Sequence, residues 1–218
     1  MQLISALGST KTPEATPALI ELVETRKGKT RIAAISALGD LGGEAATRAL
    51  ARAIGSGVED SRVAVRALAQ IGDEGSRKVL LDLASSGDRE ASLEALRGLS
   101  DAEGDDVRQV MTAALGSADP DRASSAAAYF GEHGDAAAIP ALTAMTRTGG
   151  TAAAQYALSA IAAIGGDPAR LALADLARHG GGMQAHALAQ LGALPGGHAE
   201  ARGIALDVLH NGGAGISA

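Results

Sequence analysis

Apolar residues recur along the chain at the i, i+3, i+4 spacing of an amphipathic α-helix. Leu19, Leu22 and Val23 have this spacing, and Leu173 and Leu176 repeat it later in the chain. Such spacing places the side chains on one helix face, which must pack against another element. No stretch alternates apolar and polar residues for long enough to predict a strand. The sequence therefore predicts an all-α protein.

An apolar residue pair, Ala-Leu in most cases, returns at nearly constant intervals. Its second residue lies at positions 7, 38, 68, 96, 130, 161 and 188, a mean step of about 30 residues that indicates a repeat architecture. The pair belongs to a helix, called A, that ends in glycine at Gly42, Gly72, Gly134 and Gly165. A second helix, called B, follows each A helix. We predict one domain of seven two-helix units, at 1–28, 29–57, 58–87, 88–118, 119–150, 151–181 and 182–211.

Three similar motifs carry a family resemblance: Ala-Leu-Gly-Asp-Leu-Gly at 37–42, Ala-Leu-Ala-Gln-Ile-Gly at 67–72 and Ala-Leu-Ala-Gln-Leu-Gly at 187–192. They resemble short HEAT-like repeats, the kind also found in phycobilin lyases. The resemblance implies a right-handed α-solenoid whose B helices line the concave side. It does not imply one activity, because such repeats serve scaffolds, adaptors and a few enzymes. The fifth unit departs most from the pattern, and we expect Pro140 to lie inside its B helix.

Composition narrows the classes of protein that this chain can be. Its 218 residues include 50 Ala and 29 Gly but three aromatics, which suits closely packed helices over a thin core. The absence of Cys excludes disulfides, a thiol nucleophile and Cys-ligated metals. The net charge of −6 gives no basic excess for binding nucleic acid. No apolar run approaches the ~18 residues of a membrane span, and we expect a cytoplasmic protein, although the sequence does not fix the compartment.

Three local patterns imitate functional motifs but fit structural roles better. Residues 28–30, Gly-Lys-Thr, resemble the end of a phosphate-binding loop, yet Val23 stands where that loop needs glycine. The acidic stretch 101–106 fits the start of a helix, where carboxylates are favoured. Deoxyhypusine hydroxylase, a relative by resemblance, holds iron with His-Glu dipeptides, and this sequence has only the reverse order at 132–133. We therefore expect no catalytic residue, no cofactor and no metal.

A recurrent row of charged residues on the B helices gives the best candidate binding surface. Lys78 and Asp82 are spaced to pair across one helical turn. Because B helices line the concave side of such solenoids, we expect this row to contact a partner, although a solvated charged face would show the same pattern. The candidate residues are Glu21, Arg48, Arg52, Arg77, Lys78, Asp82, Arg170, Asp175, Arg202 and Asp207.

The repeat pattern favours a non-catalytic protein–protein interaction or scaffold module, because a solenoid offers an extended surface without needing a pocket. The first alternative is a chromophore lyase-like or other small-molecule-handling subunit, for which Tyr129, Phe130 and Tyr156 would supply the ring surface. Recognition of DNA lesions, as in HEAT-like alkylpurine glycosylases, and an oligomeric structural role are further alternatives. The resemblance suits each of these classes.

The first and last helices carry apolar residues that lack a further unit to cover them all. Leu3, Ile4 and Leu7 lie on the first helix, and Ile204 and Leu209 lie on the last. Stacked repeats normally need polar terminal units. We therefore expect the chain to be part of a longer solenoid, or to have an end covered by another chain, which includes end-to-end self-association.

Two pairs of substitutions test the predicted helix phase. Leu68→Ala and Leu80→Ala should each lower the free energy of unfolding by ~2–5 kcal/mol, because both side chains are predicted in the core of the third unit. Arg52→Ala and Asp82→Ala should each change it by less than about 0.5 kcal/mol, since both are predicted on the surface. Urea denaturation measures all four, and equal losses in the two pairs would show that the helix phase is wrong.

Overall fold

A computed structural model describes residues 2–148 and 150–213, and this part of the chain contains fourteen α-helices and no strand. Three short 3₁₀ turns, at Pro13–Ala15, Ala136–Ala138 and Gly181–Met183, precede the helices α2, α10 and α13. The helices are α1 Gln2–Ser9, α2 Thr16–Thr25, α3 Gly28–Leu41, α4 Gly43–Ala53, α5 Val58–Ile71, α6 Glu74–Ala84, α7 Arg89–Gly98, α8 Asp105–Leu115, α9 Pro120–His133, α10 Ile139–Thr148, α11 Gly150–Ile164, α12 Gly166–His179, α13 Gln184–Ala193 and α14 Gly197–Gly213.

The predicted all-α class with seven two-helix repeats is confirmed: odd-numbered helices are the A helices and even-numbered helices are the B helices. Contacts group the chain into two larger bodies of several repeats each, and the first ends at Val110 while the second begins at Met111. From here on, the first unit and the second unit are these two bodies, and a helix pair is called a repeat. In the first unit, α1, α3, α5 and α7 pack side by side in one layer, and α2, α4 and α6 form the other. In the second unit, α9, α11 and α13 form one layer and α10, α12 and α14 the other. The repeat boundaries and the single domain stay predictions.

The ends of the helices follow from local sequence signals. The predicted glycine ends are confirmed, since Gly42, Gly72, Gly134 and Gly165 directly follow α3, α5, α9 and α11 with φ between 63° and 71°. A side chain disfavours this backbone conformation, so glycine stops the helix there. Asp73 begins α6 by accepting a hydrogen bond from the Ser76 amide at 2.7 Å.

Leucine, isoleucine and many small alanines fill the core of each unit. Leu68 and Leu80 are buried, while Arg52 and Asp82 are exposed, as the helix phase predicts. Pro140 lies inside the B helix of the fifth repeat, as expected, and is the second residue of α10. A proline in the first helical turn removes no hydrogen bond within the helix, so it does not interrupt α10.

The apolar residues predicted at the terminal helices differ in exposure. Leu3 is 82% exposed and Leu209 is 72% exposed, whereas Ile204 is buried. Met1 and the residues from Ala214 onward lie outside the described part of the chain. Coverage of the terminal helices by a further repeat or by another chain stays a prediction.

Three pairs of neighbouring A helices approach each other so closely that one residue at the contact must be glycine. A Cβ atom built on Gly39 of α3 would lie 2.7 Å from the Cβ of Ala67 on α5 and 3.0 Å from its Cα. A Cβ on Gly8 of α1 would lie 2.8 Å from the Cα of Ala37 on α3. In the second unit, Gly131 of α9 approaches Ala160 of α11 in the same way, at 3.1 Å. These glycines follow the apolar pair of the repeat, so the sequence motif encodes the helix spacing.

We predict that Gly39→Ala destabilises the protein by about 1–2 kcal/mol, because the added methyl group overpacks the contact with Ala67. Gly203→Ala is the matched control, since Gly203 lies within α14 and no atom stands within 4 Å of an added Cβ. This control should stabilise the protein by ~0.5–1 kcal/mol, because alanine favours a helix more than glycine does. Urea denaturation distinguishes the two. A stabilising Gly39→Ala would contradict the close approach.

Candidate protein-binding surface

The ten predicted residues lie on even-numbered helices, and eight of them are exposed. Arg77 and Arg170 are half-buried. In the first unit, Glu21 lies on α2, Arg48 and Arg52 on α4, and Arg77, Lys78 and Asp82 on α6. In the second unit, Arg170 and Asp175 lie on α12, and Arg202 and Asp207 on α14. We call the exposed side of α2, α4 and α6 the B face of the first unit.

Several of these residues form ion pairs between successive B helices. In the first unit, the Arg52 guanidinium on α4 donates to the Glu24 carboxylate on α2 at 3.2 Å. In the second unit, Arg170 on α12 donates to Glu200 on α14 at 2.7 Å, and this pairing raises the pKa of Arg170. Because each pair joins one repeat to the next, these arginines contribute to the stacking of the B helices. Each such pair contributes little to stability, because solvent screens the attraction between its charges.

Arg77 joins α6 to the start of α8 by several hydrogen bonds. Its Nε donates to the Asp106 carboxylate at 2.9 Å, and its Nη2 donates to the Glu103 carbonyl at 2.5 Å. The hydrogen bond from Arg77 holds the pKa of Asp106 at about 2, below the ordinary value of 3.8. Gly104 lies directly beneath the guanidinium, and a Cβ there would collide with it. The acidic stretch therefore serves both the start of α8 and an arginine of the preceding B helix.

Five of the predicted residues have free side chains. Within the described residues, Glu21, Lys78, Asp82, Arg202 and Asp207 form no side-chain hydrogen bond or ion pair. The expected pair between Lys78 and Asp82 is not formed within this part of the chain, and both side chains are exposed to solvent. A helix places residues four apart within reach of each other but does not oblige them to pair.

Sequence reasoning identified the arginines of these pairs but not all of their acidic partners. Glu24, Asp106 and Glu200 were not predicted, although each stands 28 to 30 residues from the arginine that it pairs with. Arg147 on α10 lies 3.8 Å from Asp175 on α12 at the same spacing. Opposite charges one repeat apart are thus a signal that could have found these residues.

The three aromatic residues have different surroundings. Tyr129 and Phe130 are both buried, and their rings meet edge to face with centroids 5.3 Å apart. Of the three aromatics that the ligand-handling alternative would use, two therefore fill the core. Tyr156 is 55% exposed and lies beside a shallow cleft of about 250 Å³ between α9 and α11.

The described residues offer neither a metal-binding cluster nor a membrane span. No three His, Asp or Glu side chains within residues 2–148 and 150–213 stand together in a group that could hold a metal ion. No helix in that part of the chain is long and apolar enough to cross a membrane.

A family model for HEAT repeats matches residues 1–63. The chain thus contains HEAT-like repeats. The match covers the first two helix pairs, and the pairing of A and B helices continues beyond it to α14. The sequence matches no curated protein.

Solved structures with a similar arrangement are distant in sequence. Human deoxyhypusine hydroxylase is 17% identical, with 87% of this chain and 77% of that chain covered at a TM-score of 0.45. An engineered protein is 21% identical, with 95% and 68% covered at a TM-score of 0.48. The CpcE–CpcF complex of phycocyanin lyase from Nostoc sp. is 19% identical, with 92% and 85% covered at a TM-score of 0.41.

The lowered pKa of Asp106 predicts a pH dependence of stability. Because the folded protein binds this proton less tightly than the unfolded chain, the ionised Asp106 stabilises the fold fully above pH ~4. That contribution is lost as the pH falls from the unfolded pKa of 3.8 toward about 2. We therefore expect the melting temperature of Asp106→Asn to be lower than that of the parent protein at pH 5, and the difference to disappear toward pH 2.

Thermal unfolding at several pH values between 5 and 2 measures this difference. Asp82→Asn is the control, because it removes an exposed carboxylate that has no ion-pair partner among the described residues. Its melting temperature should stay close to that of the parent throughout. A difference for Asp106→Asn that does not change with pH would show that the Arg77 pair does not hold this carboxylate ionised.

Proposed function

We propose that the protein is a non-catalytic interaction module that binds a protein partner on the B face of the first unit. The observation that carries the proposal is the contrast between paired and free charges on this face. Arg48 pairs with Glu44 and Arg52 pairs with Glu24, whereas Lys78 and Asp82 on the next B helix are exposed and free. Charges of both signs that remain free on rigid helices can pair with a partner of complementary pattern.

The ion pairs on this face favour binding by limiting the flexibility of the surface. Ordering long side chains at an interface costs ~0.5–1.5 kcal/mol for each one. Arg52 is already held by Glu24 across two helices, so less of this cost falls on the binding step. Free rim charges such as Lys78 and Asp82 act mainly on the association rate and on the choice of partner.

A small-molecule-handling role, such as that of a chromophore lyase subunit, is the alternative. It needs an apolar cavity with a few converging polar groups. With Tyr129 and Phe130 in the core, Tyr156 is the aromatic that remains beside an open cleft, and that cleft holds about 250 Å³. Ligand pockets usually enclose ~300–1,000 Å³. The exposed ring surface therefore favours the protein-binding role over a chromophore-handling one.

Site-specific photo-crosslinking in the organism of origin tests the proposed surface. We predict that a photoreactive benzoylphenylalanine in place of Asp82 gives a discrete adduct with one partner protein, identified by mass spectrometry. The same residue in place of Ser36, an exposed position on the A helix α3, is the matched control and should give no such adduct.

A second substitution makes the result specific to charge. Lys78→Glu, added to the Asp82 crosslinking variant, should reduce the adduct strongly. It reverses the charge that Lys78 presents to a complementary acidic group on the partner. Equal adducts from positions 82 and 36, or an adduct that persists with Lys78→Glu, would contradict binding on this face. Failure to crosslink any protein from position 82 would contradict it as well.

A further inference from the structure

The first unit contains a cleft of about 430 Å³ on the layer of A helices, between α5 and α7. Arg62, Val65, Arg66 and Ala69 line it from α5, and Glu94 and Arg97 line it from α7. These α5 residues stand three or four apart, so they form one face of the helix. The cleft belongs to the A helices, so it is separate from the B face and does not depend on the proposed function.

The cleft arises where the stacking of A helices departs from the repeat pattern. Ala69 stands at the position that Gly39 occupies in the preceding repeat, directly after the Ala-Leu pair. The close contact between α5 and α7 moves to Gly98, where an added Cβ would lie 2.5 Å from Cγ1 of Val65. Ala69 itself is exposed and lines the cleft. The cleft therefore lies where the preceding pair, α3 and α5, has the close contact between Gly39 and Ala67.

Glu94 is a buried carboxylate in the wall of this cleft. Its residue is 6% exposed, and it accepts a hydrogen bond from Nη1 of Arg97 at 2.6 Å. The equivalent residues two positions before the repeat leucine, Ser36 on α3 and Arg66 on α5, are both exposed. Removing a carboxylate from water is costly unless its oxygens are well satisfied. One ion pair leaves further acceptor capacity on Glu94, because a carboxylate has about four lone-pair sites.

Arg62 and Arg66 stand one turn apart at the same cleft, and both are exposed. Neither side chain has a hydrogen bond or ion pair within the part of the chain that the structure describes. Like charges at this spacing destabilise a helix by a few tenths of a kcal/mol. A bound anion would remove that repulsion, since each guanidinium can donate two parallel hydrogen bonds to a carboxylate.

We propose that this cleft binds an acidic peptide segment, with a carboxylate of the peptide on Arg62 and Arg66 and a peptide N–H donated to Glu94. The charged groups of the cleft are three arginines with Glu94 and Asp101, a sum of +1 that one carboxylate neutralises. Val65 and Ala69 add an apolar wall against which the stem of a glutamate side chain packs. A small free carboxylate shares the arginine contacts but lacks the N–H donor for Glu94.

The probes are an acetylated, amidated Gly-Glu-Gly peptide, the same peptide with Gln in place of Glu, and glutarate. Arginine Nε–Hε signals of the isotope-labelled full chain report binding at individual side chains by NMR. We expect the Glu peptide to shift the Arg62 and Arg66 signals saturably. It should bind about tenfold more tightly than the Gln peptide, because charge-assisted hydrogen bonds are roughly twice as strong as neutral ones.

Three variants separate the contacts. Arg62→Gln with Arg66→Gln should weaken the Glu peptide about tenfold or more, whereas Arg26→Gln with Arg178→Gln removes the same charge at exposed positions elsewhere and should leave binding unchanged. Glu94→Leu, which removes the acceptor, should weaken the peptide relative to glutarate, because only the peptide has the N–H donor. Circular dichroism checks that each variant folds, and peptide affinities are compared among the folded variants.

Several results would overturn the proposal. The absence of a saturable shift at Arg62 and Arg66 would do so, as would equal affinity for the Glu and Gln peptides. Equal loss in the two double variants would show that general charge attracts the peptide and not this cleft. Glutarate binding as tightly as the peptide would replace the peptide assignment with a site for small carboxylates. None of these results depends on the B face, so they do not decide the proposed function.

Discussion

Three of the contacts between neighbouring A helices, α1 with α3, α3 with α5 and α9 with α11, need a glycine. Gly8 on α1 and Gly39 on α3 each face an alanine backbone on the next A helix at distances that leave no room for a side chain. Packing at this range brings small residues into contact, which explains how a chain with 50 alanines and few aromatics forms a dense core. The close approach therefore determines the spacing of the layer and, with it, the positions of the polar residues on both layers.

The polar surfaces of the first unit follow from this spacing. On the B helices, the repeat brings arginines within reach of carboxylates one repeat away, and Arg52 pairs with Glu24 in this way. On the A helices, replacement of the repeat glycine by Ala69 coincides with the cleft that Glu94 and the unpaired arginines line. The two candidate surfaces thus have different origins: one is a regular product of the repeat, and the other is a departure from it.

Sequence reasoning could predict what depends on local signals. The i, i+3, i+4 pattern predicted the helices, and the glycines after α3 and α5 predicted where they end, because both effects act within a few residues. It could not predict the partner of Arg77 or the burial of Glu94, since these depend on how side chains align between helices about 30 residues apart. The burial of Tyr129 and Phe130 was missed as well, because an aromatic residue on a helix suits a ligand surface and a core equally well in sequence.

A double-mutant cycle at Gly39 and Ala67 tests the central role of this contact most directly. The nearest atom to an added methyl group at Gly39 is the Cβ of Ala67, so Ala67→Gly should relieve part of the strain that Gly39→Ala creates. We predict that the double variant loses less unfolding free energy than the two single variants together, by about 0.5–3 kcal/mol in urea denaturation. Losses that add within ~0.3 kcal/mol would show that these two residues do not pack against each other, and would contradict the account.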